Sequence, residues 1–245
     1  MTQFPKIIHQ IFGLWDDKIP REIQRRMDVW KKLHPDYIYI LWDKKKCRNF
    51  IKLNFDWFLS IYDNYPYNVQ RADAIRYFIL YTYGGIYSDI DLEPVKSITP
   101  LLEKYKSKGC LLYKSPNSEL LLNDFMISKP NIIFWKKVIN ELISKHNFNS
   151  FSKHLIIYYT TGPLLLDSVY NDFLNKKKFI YIVDTKYINN CDVSVPKPAH
   201  NKEAYLKRHD GRSWHSIDST IIDFCIINYR SIFIVMFIIS IILCI

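Results

Sequence analysis

The sequence predicts an α/β domain. Three observations point there. Short apolar runs of strand length alternate with segments of helical periodicity, a double glycine joins one such helix to the next strand, and no Pro/Gly-rich linker or internal repeat interrupts the chain before about Ser219. With 245 residues and 49% apolar content, the chain is long enough for one sizeable core. The implied organisation is one domain over residues 1–223 and a hydrophobic segment over residues 224–245.

The elements follow in order. "KIIHQIF" reads as a buried first strand. Pro20 then opens a helix on which Ile23, Met27, Trp30 and Leu33 recur at helical spacing. "YIYILW" supplies a second strand. The run "NVQRADAIRYFILYTY", Asn68 to Tyr83, is helical in pattern and stops at Gly84-Gly85, where glycine takes the left-handed conformation that ends helices. "IYSDID" follows as a third strand. Residues two apart in an extended segment share a side, so Asp89 and Asp91 face one pocket while Ile90 turns into the core. In an α/β sheet the ligand site lies at the carboxyl ends of the strands, and these two carboxylates lie at such an end.

Composition narrows the partners. The net charge of +10 suits a nucleic acid, an anionic membrane surface or a phosphate-bearing substrate. Lys44–Lys46 and Lys176–Lys178 stand without Gly or aromatic spacers and read as solvated faces, which disfavours nucleic acid. Five cysteines are scattered singly with no C-x-x-C pair, so neither a zinc knuckle nor a disulfide framework is indicated. "MTQFPKIIHQIF" does not read as a secretory signal. From Ser231 to Ile245 fifteen residues carry no charge. As a helix they rise about 22 Å against a hydrocarbon core of about 30 Å, so a full span needs the extension back to Phe224, with Arg230 snorkelling or paired. This run reads as a membrane anchor or as a buried terminal element, and its uniform apolarity favours the anchor. Lys202, Lys207, Arg208, Arg212 and Arg230 precede it and no basic residue follows, an asymmetry that puts the main domain on the cytoplasmic side if the run spans.

An Asp-x-Asp triplet arises by composition about once in a chain this rich in Asp, so context decides its meaning. Two oxygen donors on one side suit Mg2+ or Mn2+, which also takes substrate phosphate oxygens. Neither a Walker loop nor a G-x-G-x-x-G is present, so a P-loop kinase and a dinucleotide-dependent dehydrogenase have no support. A glycoside hydrolase, whose two acids flank the sugar, is a poor match for carboxylates two apart on one segment. A metal held on a diphosphate without a phosphate loop suits nucleotide-sugar chemistry.

The segments "FPKIIHQIF", "YIYILWD", "RADAIRYFILYTYGGIYSDIDLEP", "NDFMISKPNIIFW", "TGPLLL" and "HDGRSW", in this order, resemble the family 32 glycosyltransferases over about residues 4–215. The resemblance implies a GT-A type, Rossmann-like domain that binds a nucleotide sugar and retains anomeric configuration, here followed by a C-terminal hydrophobic helix. It implies that Asp73 bonds sugar hydroxyls and that Arg76 orients Asp73 or contacts the diphosphate, the alternative being a surface i,i+3 salt bridge. Tyr87 is expected beside the donor, Asp89 on ribose or sugar hydroxyls, and Asp91 on the metal. Phe12 stands where the family usually has Trp and stacks on the base. In "HDGRSW", His209 is expected to complete the metal shell and Trp214 to reach the departing diphosphate. Asn123 and Asp124 bond the donor sugar or the acceptor, or form a turn before a buried strand. "TTGPLLL" is a loop on the acceptor side, or a helix starting at Pro163.

The implied function is metal-dependent transfer of a mannose, galactose or glucose from GDP-mannose or a UDP-hexose to a glycan or glycolipid, at a membrane. The rival reading is a membrane-tethered basic binding module with an inactive transferase fold. A guanidinium that serves a ligand is not needed by the core, so Arg76→Ala is expected to fold.

Overall fold

The computed structural model describes residues 3–14, 18–115, 119–190 and 201–209. Strand β1 (Ile7–Ile11) leads through helix α1 (Arg21–Leu33) to β2 (Ile38–Trp42). Helices α2 (Lys44–Asn54) and α3 (Asp56–Asn64) pack on each other before α4 (Asn68–Tyr83), which turns directly into β3 (Gly85–Ser88). The chain continues through β4 (Leu92–Pro94), α5 (Thr99–Lys104), β5 (Cys110–Lys114) and β6 (Leu121–Ser128). Then come α6 (Ile133–Lys145), α7 (Lys153–Thr160), α8 (Pro163–Asp172) and α9 (Lys176–Phe179). Strands β7 (Ile180–Val183), β8 (Ile188–Asn190) and β9 (Leu206–Arg208) complete the described elements.

Six strands form the central sheet in the order β2-β1-β3-β6-β5-β7, and β4-β9-β8 form a small second sheet. In the central sheet β1 runs parallel to β2 and β3, and β5 to β7. Strand β6 runs antiparallel to both of its neighbours, β3 and β5. That reversal places the start of β6 beside the carboxyl end of β3. The central sheet is covered on both faces, and successive strand residues alternate between two cores. Tyr87, Cys110, Leu112 and Met126 face the core that includes Phe78 and Trp135. Ile86, Leu111, Phe125 and Ile127 face the core that includes Trp30 and Leu102. Helix α4 is buried without a break from Ala72 to Leu80, which makes it the central helix of the first layer.

The α4–β3 joint shows why two glycines are needed. Gly84 has φ 63° and ψ −152°, so φ is positive as expected, but ψ lies outside the left-handed helical well. That region is essentially closed to side chains. A Cβ on Gly84 would stand 2.7 Å from the Ser128 carbonyl oxygen, and one on Gly85 would stand 2.6 Å from that of Ile7.

Four expectations change. "IYSDID" is not one strand: β3 ends at Ser88, and Asp89–Asp91 form a turn in which the Leu92 N–H donates to the Asp89 carbonyl at 3.1 Å. The period-two argument therefore does not apply, and Ile90 is half-buried rather than in the core. Asn123 and Asp124 lie within β6, not in a turn before it. "TTGPLLL" starts α8 at Pro163, with Gly162 as its cap. Pro20 is the extended cap of α1, one residue before its first turn. Trp214 and the expected hydrophobic helix over 224–245 lie outside the described residues. Among the described residues no helix is long and apolar enough to cross a membrane.

Candidate active site at the carboxyl edge of the central sheet

The Gly84 joint folds β3 back alongside α4. Arg76 lies nine residues before Gly85 and Asp89 four residues after it. At about 1.5 Å per helical residue and about 3.3 Å per strand residue, both stand roughly 13 Å from the joint. The guanidinium is therefore level with the carboxylate, and Arg76 Nη1 lies 3.4 Å from Asp89 Oδ1.

Arg76 is buried, and its bonds point in several directions. Nη2 pairs with Asp73 Oδ1 at 2.8 Å, Nη1 donates to the Asn123 carbonyl at 2.7 Å, and Nε donates to the Ala72 carbonyl at 3.1 Å. Its guanidinium also lies over the Tyr87 ring, 4.7 Å from the centroid. The Tyr87 hydroxyl donates to Asp89 Oδ1 at 2.5 Å. The i,i+3 pair of Asp73 and Arg76 thus exists, but inside the protein rather than on its surface. Asp73 accepts further bonds from Asn123 Nδ2 at 3.1 Å and from Thr161 Oγ1 at 3.3 Å. Tyr77 accepts from Asn123 Nδ2 at 3.1 Å and donates to the Thr161 carbonyl at 2.9 Å. Sequence reasoning missed Tyr77 and Thr161. Tyr77 had a signal, since it follows Asp73 by one helical turn.

The Asp-x-Asp turn sits at the end of this network. Gln10 Nε2 donates to the Asp89 carbonyl at 3.2 Å. Phe12 follows β1 on the same rim, half-buried, with its N–H donating to the Trp42 carbonyl at 2.9 Å. The Asp89 N–H donates to the Asp124 carbonyl and the His209 N–H to the Asp91 carbonyl, each at 2.8 Å. His209 and Asp124 make side-chain bonds elsewhere. The His209 ring bonds Glu93 at 2.7 Å, and Glu93 also takes two bonds from Arg25 at 2.7 and 2.8 Å. The carboxylate of Asp124 is ion-paired with Arg208. Arg208 and Glu93 had no distinguishing motif of their own, although Arg208 directly precedes "HDGRSW".

Burial pushes the carboxyl of Asp73 up to about 7, opposed chiefly by Arg76. It pushes Asp91 up to about 7 as well, but there Asp89 and Asp124 add to the effect and Arg208 opposes it. Asp89 is raised by burial against the pull of Arg76. Glu93 is held at about 2, first by its bonds from Arg25. Asp91 Oδ1 is buried and has no hydrogen-bond partner among the described residues. A buried anionic oxygen beside two further carboxylates suits a hard divalent cation, so Asp91 fits Mg2+ or Mn2+. Among the described residues no group of three or more His, Cys, Asp and Glu side chains is already gathered as a metal site.

Residues 20–108 match the family described as "Glycosyltransferase sugar-binding region containing DXD motif". The chain is 33% identical over 230 residues to inositol phosphoceramide mannosyltransferase 3 of Schizosaccharomyces pombe, covering 94% of this chain and 60% of that protein. It is 36% identical over 218 residues to a mannosyl phosphorylinositol ceramide synthase of Saccharomyces cerevisiae, covering 88% of this chain and 54% of that protein. The chain therefore spans little more than half the length of these two relatives. In structure it is similar to the ligand-free glycosyltransferase domain from the YGT toxin, with a TM-score of 0.57, 9% identity, and coverage of 74% of this chain and 81% of that one. That likeness supports a glycosyltransferase-like α/β fold.

Proposed function

We propose that this chain, whose residues 20–108 match the DXD-containing glycosyltransferase sugar-binding region, transfers a hexose from a nucleoside-diphosphate sugar to a glycan or glycolipid, with retention of configuration and with a divalent cation. The observation that carries this reading is the Asp-x-Asp turn, where Asp91 Oδ1 is buried and partnerless beside Asp89 and Asp124. The relatives' names favour mannose, hence GDP-mannose over a UDP-hexose, and an inositol phosphoceramide type of lipid as acceptor.

In this reading Asp91 holds the cation and His209 is the further candidate ligand. The cation supplies positive charge against the diphosphate as it departs. Arg76 and Tyr87 fix the Asp89 carboxylate toward ribose or sugar hydroxyls, and Asp73 with Asn123 meets the sugar from α4 and β6. Phe12 stacks on the base and Trp214 reaches the diphosphate. No side chain is assigned as general base, since the leaving phosphate oxygen can take the acceptor proton on the same face. Residues 224–245 attach the domain to the membrane that carries the acceptor.

The test is consumption of a panel of nucleotide sugars by the full chain in Mn2+ and in excess chelator. Metal-dependent turnover of GDP-mannose is expected. Turnover that survives the chelator would overturn the metal mechanism, and donor binding without any turnover would favour the inactive binding module.

A further inference from the structure

The Asp-x-Asp turn is held from two sides by backbone bonds, and one ion pair joins the two holders. On one side the Asp89 N–H donates to the Asp124 carbonyl at 2.8 Å, which extends the β3–β6 ladder one step beyond Ser88 and Phe125. On the other the His209 N–H donates to the Asp91 carbonyl at 2.8 Å, which extends the β4–β9 ladder beyond Leu92 and Arg208. Strand β6 belongs to the central sheet and β9 to the small one. Between them the Arg208 guanidinium is paired with the Asp124 carboxylate, with side chains only 23% and 12% exposed. Salt and solvent screen such a shielded pair far less than a surface pair. Arg208 also lies over the Tyr113 ring, 6.0 Å from its centroid, and its charge opposes those of Asp89 and Asp91.

We infer that the Arg208–Asp124 pair ties the two sheets together where the chain passes from β3 to β4, and so sets the separation of Asp89 from Asp91. Arg208 is then a positioning residue for the transfer reaction, and Asp124 acts through Arg208 rather than by touching donor or acceptor. The kinetic consequence rests on the transferase reading; the structural tie does not. A slip of about 1 Å between the sheets would move one carboxylate relative to the other, and misplacement on that scale costs on the order of 100-fold in rate.

The experiment uses the full chain with Arg208→Gln, Asp124→Asn, the double variant and Arg208→Lys. Two properties are read: hydrogen exchange at the amides of Asp89 and His209, and kcat and KM for the nucleotide sugar in Mn2+. Either single variant is expected to speed exchange at both amides by about tenfold, while amides in the core of α4 keep their protection. Turnover should fall about 10- to 100-fold with KM changed less than about threefold, the double variant should be no worse than the worse single one, and lysine at 208 should restore part of the loss. Unchanged exchange at both amides would overturn the tie. Additive losses with a raised KM would show Asp124 binding the donor directly, and loss of protection throughout the chain would make the pair merely structural. If the wild type consumes no nucleotide sugar, the transferase reading fails, while the exchange arm still decides whether the pair holds the turn.

Discussion

Two neighbouring regions of this molecule bury polar groups and treat them in opposite ways. Around Asp73 on α4 a set of buried groups is mutually partnered: Gln70 donates to Thr160 at 2.8 Å, Asp73 takes bonds from Arg76, Asn123 and Thr161, and Tyr77 bonds both Asn123 and Thr161. At the adjoining Asp-x-Asp edge, Asp91 Oδ1 and Asp124 Oδ1 are buried with no hydrogen-bond partner among the described residues. Burial raises the carboxyls of Asp73 and Asp91 alike to about 7. The balance differs: at Asp73 the shift is opposed by Arg76, Asn123 and Thr161 and deepened by Asp89, whereas at Asp91 both Asp89 and Asp124 deepen it and Arg208 opposes it. A satisfied network stiffens the fold, and an unsatisfied anion destabilises it unless something binds there. The same residue type is thus met by protein hydrogen bonds and an ion pair at Asp73 and left, among the described residues, with an unpartnered oxygen at Asp91.

The sharpest way to break this contrast is Arg76→Ala. It leaves Asp73 buried and Asp89 half-buried without their counter-charge, so a loss of about 3–5 kcal/mol in unfolding free energy is expected, read as a lower denaturant midpoint with an unchanged slope. The sequence-based expectation is instead that the fold survives this change while donor binding weakens. An unchanged midpoint would show that the α4 network is not the structural region.

His9 extends the satisfied region to the foot of the Gly84 joint. Its Nε2–H donates to the Gly84 carbonyl at 3.0 Å and its Nδ1 accepts from the Trp42 indole at 3.1 Å, so the ring is held neutral. Burial pushes it down to about 4 from the usual 6.5. Between those values the unfolded chain binds more protons than the folded one, so this contribution is complete above pH 6.5 and is lost as pH falls toward 4. It amounts to about 3 kcal/mol, visible as the difference between wild type and His9→Gln across pH 4–7. A pH-independent difference would take His9 out of the satisfied region.

On the other side, Asp91→Asn should cost roughly 100-fold in metal-supported turnover. Its melting temperature should hold or rise, because the variant removes a buried charge that accepts no hydrogen bond at Oδ1 from the described residues and is repelled by Asp89 and Asp124. A fall in stability as large as that of Arg76→Ala would erase the distinction. The smallest effect is expected for Thr161→Val, which removes one of several bonds to Asp73. A loss of about 1 kcal/mol, with the fold intact, would grade the network as redundant rather than dependent on one contact.

Much of the first half of the fold is legible locally. β1, α1, β2 and α4 follow from apolar spacing and Gly84-Gly85. α2 and α3 escape that reading although each buries one apolar face. The length of β3 is misjudged because "IYSDID" alternates like a strand, yet the chain must turn after Ser88 to enter the second sheet.

For the site, the sequence groups Asp73, Arg76, Tyr87 and Asp89 through the family resemblance. Once β3 folds back alongside α4, helix rise and strand rise about the Gly-Gly joint bring Arg76 and Asp89 level. The resemblance names Asn123 and Asp124 as well, but leaves a turn before the strand as the alternative; only the tertiary structure places them within β6 beside Asp89, because the direction of β6 is set by pairing with β3 and β5 and not by its own pattern. It alone brings Arg208 to Asp124, 84 residues away in the chain. It also makes Arg76 a buried hub instead of an exposed ligand contact, since exposure is a property of what packs around a helix, and no spacing within the helix records it.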